Sequence, residues 1–159
     1  MSISINIPNK ETYEIRYLVF DLNGTLTEEG ILKNHIKQQI MVLEKHCKIY
    51  ILTADTNNTA KALEEEFQEK VSIHTLESNN HREEKGAFIE TLGSANCIAF
   101  GNGNNDREML RKAIIGVGVI GKEGMASSLF TTSDIVVGNM EDALGLLLRP
   151  SNLVATLRE

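Results

Sequence analysis

The chain has 159 residues, 42% of them hydrophobic and 24% charged, with a formal net charge of −6. That length can bury one core without disulfides or structural metal, and the composition excludes a disordered or membrane-resident chain. The acidic balance, with no Lys/Arg stripe, excludes nucleic acid as the main partner, because backbone phosphates call for a basic face.

Ile3, Ile5 and Ile7 alternate with polar residues, and Pro8-Asn9-Lys10 supplies a turn, which predicts an N-terminal β-hairpin extension over residues 1–14. Tyr17 to Phe20 then forms a short apolar run of the kind that makes a buried parallel strand. Ile36, Ile40 and Leu43 mark one helix face, and a second strand follows at Ile49 to Leu52. Ala60, Leu63 and Phe67 mark a second helix, Val71 to Ile73 a further strand, and Phe88, Ile89 and Leu92 a third helix. Strands are predicted again at Cys97 to Phe100, Ile114 to Val119 and Ile135 to Val137. From Ala143 through Leu157 the chain is apolar enough for one or two short helices, interrupted at Pro150. This alternation predicts a doubly wound, mostly parallel α/β sheet, since parallel strands need right-handed crossovers. No repeat, low-complexity tract or linker divides the sequence, so residues 1–159 are expected to form a single domain.

In such a sheet the ligand crevice lies at the carboxyl ends of the strands. Three strand exits carry polar groups: DLNGTLT from Asp21, ILTADT around Thr53, and GNGNND from Gly101 to Asp106. Taken alone, each reads as ordinary turn or cap chemistry. Their order along the chain is more specific. Asp21, Asn23, Gly24 and Thr25 fit a strand-terminal DxDGT, Thr53 a strand-terminal Ser/Thr, Lys85 a lysine opening a later helix, and Gly101, Asn102, Gly103, Asn105 and Asp106 a GDGxND. In these motifs the sequence resembles the haloacid dehalogenase-like phosphotransferase superfamily over nearly its whole length. DLNGTLT, and GNGNND followed by Gly-Val-Gly, resemble small soluble proteins related to the phosphorylation domain of P-type ATPases.

The resemblance implies a phosphatase or phosphotransferase in which Asp21 attacks phosphorus to give an aspartyl-phosphate. Charge spread over the equatorial oxygens calls for a hard cation, an ammonium and hydroxyl or amide donors. The resemblance assigns these to Mg²⁺, Lys85, Thr53, Ala54 and Gly24, with Asp21, the main-chain carbonyl of Asn23, Asn102 and Asp106 around the metal. Gly24 and Gly103 suit a sharp turn or a close approach of backbone to phosphate.

Two amides stand where the family pattern has carboxylates. Asn23 cannot do the acid–base work of the aspartate it replaces, a loss of about 10²–10⁴-fold, so slow dephosphorylation is expected. Asn102 replaces a direct Mg²⁺ ligand and is expected to weaken binding, because Mg²⁺ sites rely on one or two carboxylates. The same two amides leave open a non-catalytic module for phosphate sensing or protein binding.

No room exists for a cap domain between Thr25 and Thr53 or between Thr53 and Lys85. An open site suits a phosphorylated macromolecule, or a small phosphate ester enclosed by a second copy of the chain paired through strand edges. His35, His46, His74 and His81 read as solvated surface residues, and Glu64 to Glu66 as a solvated helix face. Asp55 lies near the crevice with a minor claim on it; Lys122 and Glu123 either approach substrate or form a plain loop. Cys47 and Cys97 lack metal-type spacing and read as core thiols, and MSISINIPNK is not a secretory leader, so a reducing cytoplasm is expected. No apolar run approaches the roughly 18 residues of a membrane span.

Overall fold

The computed structural model describes residues 1–55 and 57–159. Thr56, which closes the ILTADT stretch, lies outside the described residues. Strands β1 (Ile3–Ile5) and β2 (Tyr13–Ile15) pair antiparallel as the expected hairpin. The left-handed Asn9 (φ 65°) and the bond from Lys10 N–H to Ile7 carbonyl (3.0 Å) make the turn. The hairpin is less of an extension than the sequence suggests. It reaches Ile15, and Ile5, Ile7 and Ile15 are buried in the main core because their alternation points them inward.

Six strands, β3 (Tyr17–Asp21), β4 (Lys48–Thr53), β5 (Ser72–Thr75), β6 (Cys97–Gly101), β7 (Ile115–Val119) and β8 (Ile135–Val137), form one parallel sheet. Their spatial order is β5-β4-β3-β6-β7-β8. Chain order reverses at β3, so the ends of β3, β4 and β6 share one crevice, as expected at a topological switch point.

Alternation along the strands builds two core layers. Leu18 and Phe20 of β3 face one side, where α1 (Asn34–Leu43), α6 (Met140–Leu148), α7 (Pro150–Leu157) and the hairpin contribute apolar side chains. Phe20 stacks on Phe100 at 4.5 Å between ring centroids, a geometry worth about 0.5–1.5 kcal/mol beyond area burial. Val19 faces the other side, toward α3 (His81–Leu92), α4 (Arg107–Lys112) and α5 (Leu129–Thr132). Gly116 and Gly118 alternate with valines in β7 because these neighbours approach closely. A β-carbon on Gly116 would strike the Leu110 carbonyl, and one on Gly118 would stand 2.5 Å from Met125 Sδ.

Helix α2 (Asn57–Glu66) joins β4 to β5 and leads into the buried Phe67. Pro150 sits in the first turn of α7, where a missing N–H costs nothing. Neither interval of the chain where a cap would be inserted contains an additional domain among the described residues. Among those residues, no helix is long and apolar enough to cross a membrane. Cys47 and Cys97 are both fully buried, and burial pushes their thiols up to about 11 and about 12.

Candidate active site

Asp21 ends β3 in register with Leu52, one residue before Thr53 at the end of β4. Beneath it lies a buried ion triad. Lys85 Nζ sits 2.7 Å from Asp21 Oδ1 and 2.7 Å from Asp106 Oδ1, with the lysine side chain 1% exposed. Lys85 does not open its helix; it is the fifth residue of α3, one turn in. Asn80 caps that helix through Glu83 N–H, and the Glu84 carboxylate accepts the backbone N–H groups of Glu77 and Ser78. These contacts fix the entry of α3 and aim Lys85 inward.

Asp106 is fully buried. Its Oδ1 meets Lys85 and its Oδ2 accepts the N–H groups of Asn102 and Gly103, each at 3.0 Å. The metal role expected for Asp106 does not fit this arrangement: both oxygens are engaged behind Asp21, so the residue anchors Lys85. Gly101 makes the fit feasible, since a β-carbon there would stand 2.5 Å from Asp106 Cβ and Cγ. Gly103, by contrast, has φ −107°, which any residue adopts.

Two carboxylates around one ammonium leave the interior one negative charge in excess. Burial first, and the neighbouring Asp106 second, push Asp21 from its ordinary 3.8 up to about 6, against the pull of Lys85 and Thr25. Burial opposes the Lys85 charge, but Asp106 and Asp21 outweigh it and raise its pKa.

The rim is more open. The Thr25 hydroxyl, itself buried, lies 3.0 Å from Asp21 Oδ2 and 3.2 Å from Asn102 Oδ1. The Asn23 amide is exposed and donates to Asp55 Oδ2 at 3.1 Å. Thr53 is buried, and its hydroxyl oxygen accepts the Asp55 N–H at 3.0 Å; among the described residues its proton has no acceptor. Ala54 is exposed at the same exit. Gly24 has φ +78°, a turn that favours glycine. Its N–H donates to Thr27 carbonyl at 3.1 Å, so this backbone donor is already used within the loop.

A hard divalent cation fits the donors present. Asp21 Oδ2 and Asn102 Oδ1 converge on the same Thr25 hydroxyl, and the two carboxylates around Lys85 leave one negative charge in excess. Among the described residues no three His, Cys, Asp or Glu side chains already form a ligand cluster. Oxygens beyond such a cluster would have to complete the shell.

No family model matches the chain. It is 52% identical over 62 residues to an uncharacterized protein of Methanocaldococcus jannaschii, covering 39% of this chain and 67% of that protein. A second uncharacterized protein of the same organism is 40% identical over 40 residues, covering 25% of this chain and 91% of its own length. The chain belongs to the family of these two proteins. Among solved structures, it superposes on a haloacid dehalogenase-like hydrolase from Bacteroides thetaiotaomicron with TM-score 0.65 and 9% identity, over 86% of this chain and 99% of that one. The 3-deoxy-D-manno-octulosonate 8-phosphate phosphatase of Moraxella catarrhalis, solved with magnesium, phosphate and sugar, gives 0.63 at 17% identity, over 89% and 92%. The chain has the haloacid dehalogenase-like fold. The catalytic domain of a CPx-ATPase, CopB-B, also shares it, with TM-score 0.57 and 23% identity over 72% of this chain and 44% of that domain's chain.

On this haloacid dehalogenase-like scaffold, Asp21, Thr53, Lys85, Asn102 and Asp106 meet at one edge of the sheet, with Asn23 and Gly24 on the loop above. Two carboxylates that are ambiguous in the sequence also reach this loop. Asp55 contacts Asn23 directly, and Glu123 lies against Gly24, where a β-carbon would collide with its carboxylate. The signals were present as short spacing from Thr53 and as the turn Gly121-Lys122-Glu123-Gly124. Lys122 instead points toward Glu28 at 3.8 Å. His35 and His46 are exposed as expected, but His81 is half-buried and so is His74, whose ring lies 4.9 Å from Phe88. His74 belongs to the edge strand β5 and lies against Phe88 and Glu84 of α3.

Proposed function

We propose that this chain is a Mg²⁺-dependent phosphatase or phosphotransferase, a single domain acting through an aspartyl-phosphate on Asp21. The observation that carries the reading is Lys85 held between Asp21 and Asp106 at 2.7 Å each, with Asp21 Oδ2 left toward the rim. A carboxylate so placed can attack phosphorus while the bond to the leaving oxygen breaks, and the buried ammonium offsets the added charge. The Thr53 hydroxyl can donate its proton to a phosphoryl oxygen.

Asp21, Asn102 and the main-chain carbonyl of Asn23 would hold the cation. When bound, it would supply charge neutralisation to the transferring phosphoryl group. The magnesium and phosphate bound by the Moraxella catarrhalis phosphatase on the same fold support this choice of ion and group.

Asn23 cannot accept or deliver a proton at neutral pH, so hydrolysis of the phosphoenzyme is the slow step. The uncapped site suits a phosphorylated group carried on a macromolecule, or a small ester enclosed by a second copy. The buried free thiols and the acidic surface accord with a cytoplasmic setting and no nucleic-acid partner.

The test is Mg²⁺-dependent hydrolysis of acetyl phosphate and a chromogenic phosphate ester by wild type, Asp21→Asn and Asn23→Asp. Slow wild-type turnover, none in Asp21→Asn and a gain of about 10²-fold or more in Asn23→Asp is expected. Rates equal to buffer for all three favour the phosphate-sensing or protein-binding module that Asn23 and Asn102 also suggest.

A further inference from the structure

Asn102 occupies the position beside Asp21 where a second carboxylate would serve a divalent cation best. Its amide is oriented by its neighbours. Oδ1 faces the Thr25 hydroxyl at 3.2 Å, while Nδ2 faces the Gly124 carbonyl at 3.4 Å. The Nδ2 side is also where Glu123 arrives. A β-carbon placed on Gly24 would collide with Glu123 Oε2, and would lie 3.0 Å from Glu123 Cδ and 2.7 Å from Asn102 Nδ2. The carboxylate and the amide therefore share one small volume over the Gly24 α-carbon, a few ångström apart.

The loop that carries Glu123 is built to reach this point. Gly121 (φ +59°) and Gly124 (φ +77°) bracket Lys122 and Glu123 with two left-handed turns that other residues rarely adopt. Ala126 N–H bonds the Asn102 carbonyl at 2.8 Å, tying the loop to the motif that ends β6. Gly24 itself has no side chain, which opens the space that the Glu123 carboxylate fills.

We infer that Glu123 supplies the carboxylate missing at Asn102, so that a divalent cation is held by Asp21 and Glu123 beside the Asn102 side chain. The inference rests on the phosphoryl-transfer reading and deepens it by moving one ligand from the strand exit to a neighbouring loop. Charge agrees with the relocation. Asp21 and Asp106 against Lys85 leave one net negative charge, and Glu123 brings the site to two, matching a dication. A carboxylate at both 102 and 123 would crowd a third uncompensated charge into the same volume, which accounts for an amide at 102.

The test is Mn²⁺ binding without phosphate, read as loss of the free-ion signal in electron paramagnetic resonance, for wild type, Glu123→Gln, and Glu123→Gln combined with Asn102→Asp. Glu123 is exposed, so the single variant should keep the wild-type Tm. The expected result is a loss of affinity of at least about tenfold in Glu123→Gln, since even outer partners of metal ligands matter that much, and recovery when Asn102→Asp is added. Unchanged Mn²⁺ affinity in Glu123→Gln, or a loss that Asn102→Asp leaves unrepaired, overturns the inference. If wild type still forms a phosphoenzyme in that case, only Glu123 is misassigned; if wild type binds no Mn²⁺ and forms no phosphoenzyme, the phosphoryl-transfer reading falls as well.

Discussion

The interior of the site and its rim follow different rules. Inside, Asp21, Lys85 and Asp106 are held by short ion pairs among side chains with almost no exposure, two carboxylates sharing one ammonium. At the rim, Asn23, Asp55, Asn102 and Glu123 meet through longer contacts on loops that reach solvent. The contrast locates both departures from the family pattern. A buried charge cannot be exchanged without stranding its partners, whereas a rim carboxylate can become an amide and be replaced by one arriving from another loop.

The sharpest way to break the comparison is Lys85→Ala. It leaves two buried carboxylates facing each other, and a loss of about 3–5 kcal/mol in stability is expected from denaturant unfolding. Asp21→Asn should do the reverse. In metal-free protein the folded state holds the Asp21 proton up to about pH 6, while an unfolded chain releases it near 3.8, so the folded state binds more protons in between. Stability is therefore lost as pH rises through that window. Unfolding curves between pH 4 and 7 should show Asp21→Asn gaining on wild type by on the order of 2 kcal/mol before levelling off. An opposite slope would mean that Lys85 dominates the carboxylate.

Gly101→Ala tests the interior from its backbone. The added methyl must displace Asp106, and about 1–3 kcal/mol of destabilisation in thermal unfolding is expected, as for overpacking elsewhere. Asp55→Asn, on the rim, removes a single partly solvated contact and should change stability by no more than about 0.5 kcal/mol by the same measurement. If Asp55→Asn costs as much as Gly101→Ala, the distinction between interior and rim is lost.

Periodicity and strand exits were enough to read the sheet, the hairpin and the C-terminal helix pair. The runs at Tyr17 to Phe20 and Cys97 to Phe100, for example, became the central strands β3 and β6. What the sequence concealed was direction. Nothing in GNGNND says that Asp106 turns inward to Lys85 while Asn102 faces Thr25; that follows from the three-dimensional fit of Asp106 against Gly101. Asp55 and Glu123 were ambiguous for a related reason. A loop carboxylate acquires a role only when another segment is brought beside it, and the partners Asn23 and Gly24 lie on a different strand exit. The half-buried position of His74 is not legible in the sequence, because a lone histidine in a half-apolar edge strand carries no periodic signal of its own.

The most direct test of the central claim is chemical trapping at Asp21. Wild-type protein incubated with acetyl phosphate and Mg²⁺, then quenched with borohydride, is digested and its peptides are sequenced by mass spectrometry. Reduction of an acyl phosphate converts aspartate to homoserine, and the account predicts homoserine at position 21 alone, dependent on both reagents and abolished in Asp21→Asn. An unmodified Asp21 under conditions where acetyl phosphate is consumed, or homoserine at another aspartate, would contradict it.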